Sequence, residues 1–274
     1  MKLKAIRETI VAGRMIYHEE KIPSGSHRGK RGARRSITPA AVERNNMRLA
    51  IKKVWMLLCA NFDHTCSHMT LTYAGDAPTK EEAKKEFGKF MRRLRREFRK
   101  MGQELKALYV TEYENHRIHH HVVINTTDVE LVDRVWKKGF VNVKVLDASG
   151  DYHDLAEYMV KETEKTFRLE GAVNRQRYGH TRNVVMPVVK REEISMPDMS
   201  EDPTPIKGYY VPKDRVRTFE HPVTGLTHRV WIELPLAEPR RYKVWPRGKR
   251  AKLEERYRPD YVEHQVSFEW EGRE

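Results

Sequence analysis

The sequence predicts an α+β protein built around an antiparallel sheet, with helices packed on one face and basic extensions at both ends. Three observations carry that expectation. Short β-rich apolar runs recur between tight connections, and two of them form a hairpin. Strongly amphipathic helical stretches lie between the runs. No long crossover of the parallel kind intervenes, so the core order reads β-α-β-β-α-β-α. At 274 residues there is room for one sizeable domain with extensions. The expected divisions are an arm and helix over residues 1–54, a central domain over 55–190, and a basic extension over 191–274.

Residues 1–50 are polar and basic, with a Gly- and Arg-rich cluster from Ser26 to Ser36, and read as a flexible arm that attracts phosphates. Thr38-Pro39 opens a helix reaching Leu58. Cys66 to Tyr73 is the first core strand, placing Thr70 and Thr72 on one face and Met69, Leu71 and Tyr73 on the other. Thr79 and Glu82 make a capping box, and Ala83, Phe87, Phe90, Met91, Leu94 and Phe98 follow at helical intervals. The polar side of that helix holds Arg92, Arg93, Arg95, Arg96, Arg99 and Lys100. It reads as a solvated face or a DNA-facing stripe, with Arg92 and Arg96 the candidate contacts.

Leu105–Tyr113 and His119–Asn125 then form the hairpin, Asp128–Trp136 a short helix and Phe140–Val145 another strand. A turn at Asp147–Gly150 leads into a helix from Asp154 to Glu162. Farther on, Arg175, Arg177, Tyr178, His180 and Arg182 mix cations with a ring, as nucleic-acid contacts do; Arg177 and Arg182 are the candidates there. Met196–Pro205 reads as a linker, and His228–Leu234 as a strand after a turn at Gly225. Arg240–Arg258 is again basic, with Trp245 and Tyr257 interleaved.

Lys and Arg number 53 against 39 Asp and Glu, a net charge of +14 that calls for a polyanionic partner, nucleic acid or an acidic membrane surface. No apolar run is long enough to span a bilayer, and the first residues carry no signal-peptide pattern. Two cysteines, Cys59 and Cys66, are too few for a disulfide framework and fit a reducing cytoplasm. Cys59, His64, Cys66 and His68 have the spacing of no standard zinc finger.

The chemistry concentrates in two places. Side chains alternate along a strand, so His119 and His121 share one face while His120 points the other way with Val122 and Ile124. Two imidazoles at i, i+2 can grip one divalent cation, and hairpin pairing brings the Glu112 carboxylate over them. Two histidines and a carboxylate leave coordination positions open, as a catalytic metal requires. Glu114 competes for the third place but lies nearer the hairpin tip. In the late helix, Tyr158, Lys161 and Glu162 stand at i, i+3 and i+4 and project from one side. A phenol ionises near about pH 10, so a nearby ammonium and a polarised phosphate would both favour its attack.

Together these segments resemble the HUH endonucleases, specifically the rolling-circle replication initiator (Rep) proteins of small plasmids and phages. Three ordered motifs carry the resemblance: Met69-Thr-Leu-Thr-Tyr73, His119-His120-His121 with a histidine in the usually apolar middle place, and Tyr158-Met-Val-Lys161. It covers about residues 55–165 and weakens toward about 190. The resemblance implies an RRM-like palm whose open face binds single-stranded DNA, at an origin or a hairpin, over a Mg²⁺ or Mn²⁺ ion. His119, His121 and Glu112 would hold that ion, with Glu162 approaching it. Tyr158 would form a 5′-phosphotyrosine link, with Lys161 supporting the charge. Since no P-loop motif is present, a helicase and a polymerase would come separately from the host. Two other readings fit parts of the pattern: a single-tyrosine HUH transposase, and a non-catalytic RRM-like nucleic-acid-binding module.

Overall fold

The structure is a computed structural model that describes residues 4–22, 39–112, 117–161, 178–198, 201–221 and 224–236. Its elements in chain order are β1 (Lys4–Ala12), β2 (Met15–Ile22), α1 (Pro39–Asn61), β3 (Ser67–Leu71), α2 (Lys80–Lys100), β4 (Ala107–Glu112), β5 (His119–Ile124), α3 (Val129–Trp136) and β6 (Val141–Val145). There follow α4 (His153–Lys161), β7 (Gly179–His180), β8 (Val189–Ser195), β9 (Tyr209–Tyr210), β10 (Arg217–Glu220) and β11 (Thr227–Pro235). The expected α+β class holds.

The central sheet is antiparallel, in the order β6-β3-β5-β4-β7. One face presents Met69, Leu71, Ala107, Val122 and Ile124. Phe87, Phe90, Met91, Leu94 and Phe98 of α2 cover it, together with Leu131, Val132, Val135 and Trp136 of α3. The predicted capping box of α2 is complete: the Thr79 hydroxyl accepts from the Glu82 amide, and the Glu82 carboxylate accepts from the Thr79 amide. Asp128 caps α3 through the Leu131 amide.

The other face is covered at one end only. Leu108, Val110 and Val123 pack there against α1 and against Ala156, Met159 and Val160 of α4. Helices thus lie on both faces of this sheet rather than on one, and the face carrying His119 and His121 is partly open. Val54 to Cys59 of α1 are buried without a break, because a second sheet lies on the helix's far side.

That second sheet runs β10-β11-β2-β1-β8, with β9 added on β11. It corrects the expectation of a flexible arm: residues 4–22 are a hairpin turned at Gly13, whose φ of 61° suits glycine and whose Cβ, if present, would collide with the Cys59 carbonyl. The expected strand near residues 228–234 is β11, and it pairs with β2 across the chain. The expected boundaries at 54/55 and 190/191 fall inside α1 and inside β8. In the segment expected as a linker, the Asp198 and Glu201 carbonyls accept from the Arg229 guanidinium. The basic cluster Ser26–Ser36, Glu114, Glu162, Arg175, Arg177 and the run Arg240–Arg258 lie outside the described residues.

Among the described residues no helix is long and apolar enough to cross a membrane. Cys59 and Cys66 are both free thiols, buried, and burial raises both of their pKa values.

Candidate metal centre and tyrosine

The register of β4 against β5 sets Glu112 directly opposite His119. The alternation of β5 then puts His121 beside both. His119 Nε2 lies 3.0 Å from His121 Nε2 and 3.1 Å from Glu112 Oε2, and His121 Nε2 lies 3.7 Å from the same oxygen. Separations of this size suit neighbouring ligands around one ion at bond lengths of about 2.0–2.2 Å. Glu112, His119 and His121 are the one group among the described residues whose ligand atoms converge in this way. A carboxylate with two imidazoles is a donor set for a divalent cation with open positions.

The ring tautomers support the same use. His119 Nδ1 donates to the Arg117 carbonyl at 2.8 Å, which leaves the Nε2 lone pair facing the cluster. His121 Nδ1 lies 3.2 Å from both His68 Nε2 and the Thr70 hydroxyl, which can accept its proton and again leave Nε2 bare. Burial, with the neighbouring His68, His119 and His120, pushes the His121 pKa down to about 3. Burial and Lys144 push His68 down to about 4. Both rings are therefore neutral at neutral pH, the form in which imidazole ligates.

The middle histidine has a different role. His120 is fully buried on the opposite face, stacked on Phe87 at a centroid distance of 4.4 Å. Its Nε2 meets the Tyr73 hydroxyl at 2.9 Å and its Nδ1 the Thr111 hydroxyl at 2.9 Å. Burial and the adjacent His119 lower its pKa to about 3, so it is a neutral, satisfied core residue.

The helix α4 carries Tyr158 to the cluster. Ala156, Met159 and Val160 are buried, which fixes the roll of the helix and turns residue 158 toward the open end of the sheet. The Tyr158 hydroxyl lies 3.2 Å from His121 Nε2, while the ring is 41% exposed, so a strand of DNA can reach it. Lys161 stands one turn on and ion-pairs with Glu157 at 2.9 Å. Such an exposed i, i+4 pair is worth about 0.3–0.5 kcal/mol, so an arriving phosphate could redirect the ammonium at little cost. Tyr152, the other tyrosine near this helix, is buried with its hydroxyl on the Asp147 carbonyl, away from the cluster.

Other expected contacts are dispersed. Arg92 and Arg96 are exposed on α2, which covers the sheet face opposite the cluster, so they do not join it. Arg182 is exposed just after the edge strand β7. Thr72 binds the backbone of Phe140 and ties β3 to the start of β6. The residue overlooked as a site member is His68. Its place two residues before Thr70, on the strand beside His121, was the signal that could have found it.

Residues 66–166 match the family model described as replication-associated protein of the ORF2 type. The match runs from the start of β3 through α4 and so contains every residue of the cluster and Tyr158. It supports a Rep-type initiator. No curated protein and no solved structure matches the chain.

Proposed function

Since residues 66–166 match the replication-associated protein family, we propose that the protein starts rolling-circle replication by nicking and rejoining single-stranded DNA through a 5′-phosphotyrosine. The observation that carries this reading is the 3.2 Å approach of the Tyr158 hydroxyl to His121, inside the Glu112–His119–His121 cluster. A divalent cation, Mg²⁺ or Mn²⁺, bound at those three residues would draw charge off the scissile phosphate.

Tyr158 Oη attacks phosphorus in line. A new P–O bond to the phenol forms as the bond to the 3′-oxygen breaks, and the phenol proton passes to solvent, to which the ring is open. The products are a 5′-phosphotyrosine and a free 3′-hydroxyl that can prime synthesis. Attack by a 3′-hydroxyl on the phosphotyrosine reverses the bond changes and rejoins the strand. Lys161, released from Glu157, offers its ammonium to the charge that develops. Glu162 adds a further carboxylate near the cation, and Arg177 and Arg182 steady the strand's phosphates. Helicase and polymerase activities come from the host, and the reaction takes place in the cytoplasm.

The test is incubation with labelled single-stranded DNA and Mn²⁺, followed by a denaturing gel. A band of protein joined to DNA is expected, absent in Tyr158→Phe. His121→Ala should abolish the band while salt-sensitive DNA binding persists, because phosphate contacts come from Arg and Lys elsewhere. Binding without any covalent product on origin-derived strands would leave a non-catalytic module.

A further inference from the structure

On the other flank of α4 lies a cavity of about 710 Å³, walled by α1, α4 and the strands β10 and β11. The cluster and the cavity use adjacent residues of one helix: Tyr158 faces His121, and Glu157 and His153 line the cavity. They are about one helix diameter apart, roughly 10–12 Å. The volume lies in the range of small-ligand pockets, and the lining is mostly apolar.

Its aromatic part is organised for a flat ring. Tyr17 and Trp55 meet edge to face at 5.6 Å, and Trp55 meets His153 the same way at 4.8 Å. Opposite them, the Arg48 guanidinium lies 5.4 Å over the Phe219 ring. Arg48 Nε is buried and has no hydrogen-bond partner among the described residues. An unmet donor beside rings, in a cavity, calls for an acceptor on an aromatic ligand.

The charges divide in the same sense. Lys52 is held by Glu19 at 2.5 Å, and Arg215 by Asp151 at 3.0 Å and Asp154 at 3.4 Å. Arg44 and Arg217 are exposed at the cavity and have no acidic partner among the described residues. Glu157, the remaining acid of the lining, is taken by Lys161. The two guanidiniums thus offer a phosphate-binding pair outside an aromatic interior.

We propose that the cavity takes one unpaired nucleotide of the single strand near the scissile phosphate. Its base lies among Trp55, Phe219 and Arg48, and its backbone phosphate lies on Arg44 and Arg217. The proposal rests on the reading of the protein as a single-strand nuclease, and it adds a fixed base position beside the nick. That position would give the enzyme a means of choosing where along a strand it cuts.

The test uses the full chain as Tyr158→Phe, without metal, so that no cleavage intervenes. The probe is a fluorescein-labelled 16-nucleotide single strand of random sequence carrying 5-iodouracil. After irradiation and digestion, the expected cross-linked peptides contain Trp55 or Phe219. In the same background, Phe219→Ala should weaken binding about 5- to 150-fold, the range for one stacked base. Arg217→Gln, an exposed and structurally mild change, should lower the slope of log affinity against log salt by about 0.7, one phosphate contact on a single strand. Cross-links confined to other peptides, with affinity and slope unchanged in both variants, would overturn the proposal. So would failure of the strand to bind at all. Cross-linking in the cavity together with no covalent adduct from the unmutated protein would sink the nicking reaction and leave the cavity's role standing.

Discussion

His121 works through both of its ring nitrogens. Nε2 faces Glu112, His119 and the phenol, while Nδ1 is held between His68 and Thr70. A ring held on its far side presents its lone pair in one direction, which is what ligand affinity depends on. His68→Leu, which removes that acceptor and keeps most of the volume, should weaken Mn²⁺ binding about 10- to 100-fold in a calorimetric titration of the whole protein. Unchanged affinity would show that Thr70 alone positions the ring. At this scale the sequence was informative where strand alternation decides the answer: His119 and His121 on one face, His120 on the other, Glu112 opposite by hairpin register. His68 escaped because it sits on β3, and only the pairing of Thr70 with His121 brings it alongside. Pairing between strands far apart in sequence is not written in either strand alone.

The helix α4 owes its place to three buried residues facing α1 and the sheet, and Tyr158 is where the helix turns away from them. By contrast, α2 supports the sheet from behind. Its capping box contributes to stability alone: Thr79→Ala should cost about 1 kcal/mol in chemical denaturation, with covalent adduct formation unchanged. Loss of adduct at full stability would mean that α2 reaches the centre after all. Helices and core strands were legible because their apolar periods are clean, as in Phe87, Phe90, Met91 and Leu94. The strands β1 and β2 were not, because their inward positions include charges. Glu8, Glu19 and Glu20 are buried and met by Lys21, Lys52, Arg7, His228 and Arg229 from other segments. A strand that buries ion pairs reads from sequence as a polar arm.

Those ion pairs join the N-terminal hairpin, α1 and β11 into the sheet that closes over α1 and α4. Burial by itself would raise the Glu19 carboxyl, but His228, Lys52 and Arg48 more than offset it and hold the group well below the usual carboxylate range. A depressed folded-state value means that the unfolded chain binds the proton first. The stabilisation is therefore complete above the unfolded value, near about pH 4.3, and is lost as pH falls below it. Glu19→Gln should cost about 3–5 kcal/mol at neutral pH by leaving Lys52 buried without its partner. It should also flatten the acid side of the curve of melting temperature against pH; a variant that keeps the original slope would assign acid lability to other groups. The central claim, that Tyr158 is the group that joins DNA, has a direct measurement: digestion of the protein–DNA adduct and mass spectrometry of the modified peptide. A nucleotide attached through phosphate to Tyr158 is the result expected. Attachment at any other residue, Tyr152 included, would contradict the account.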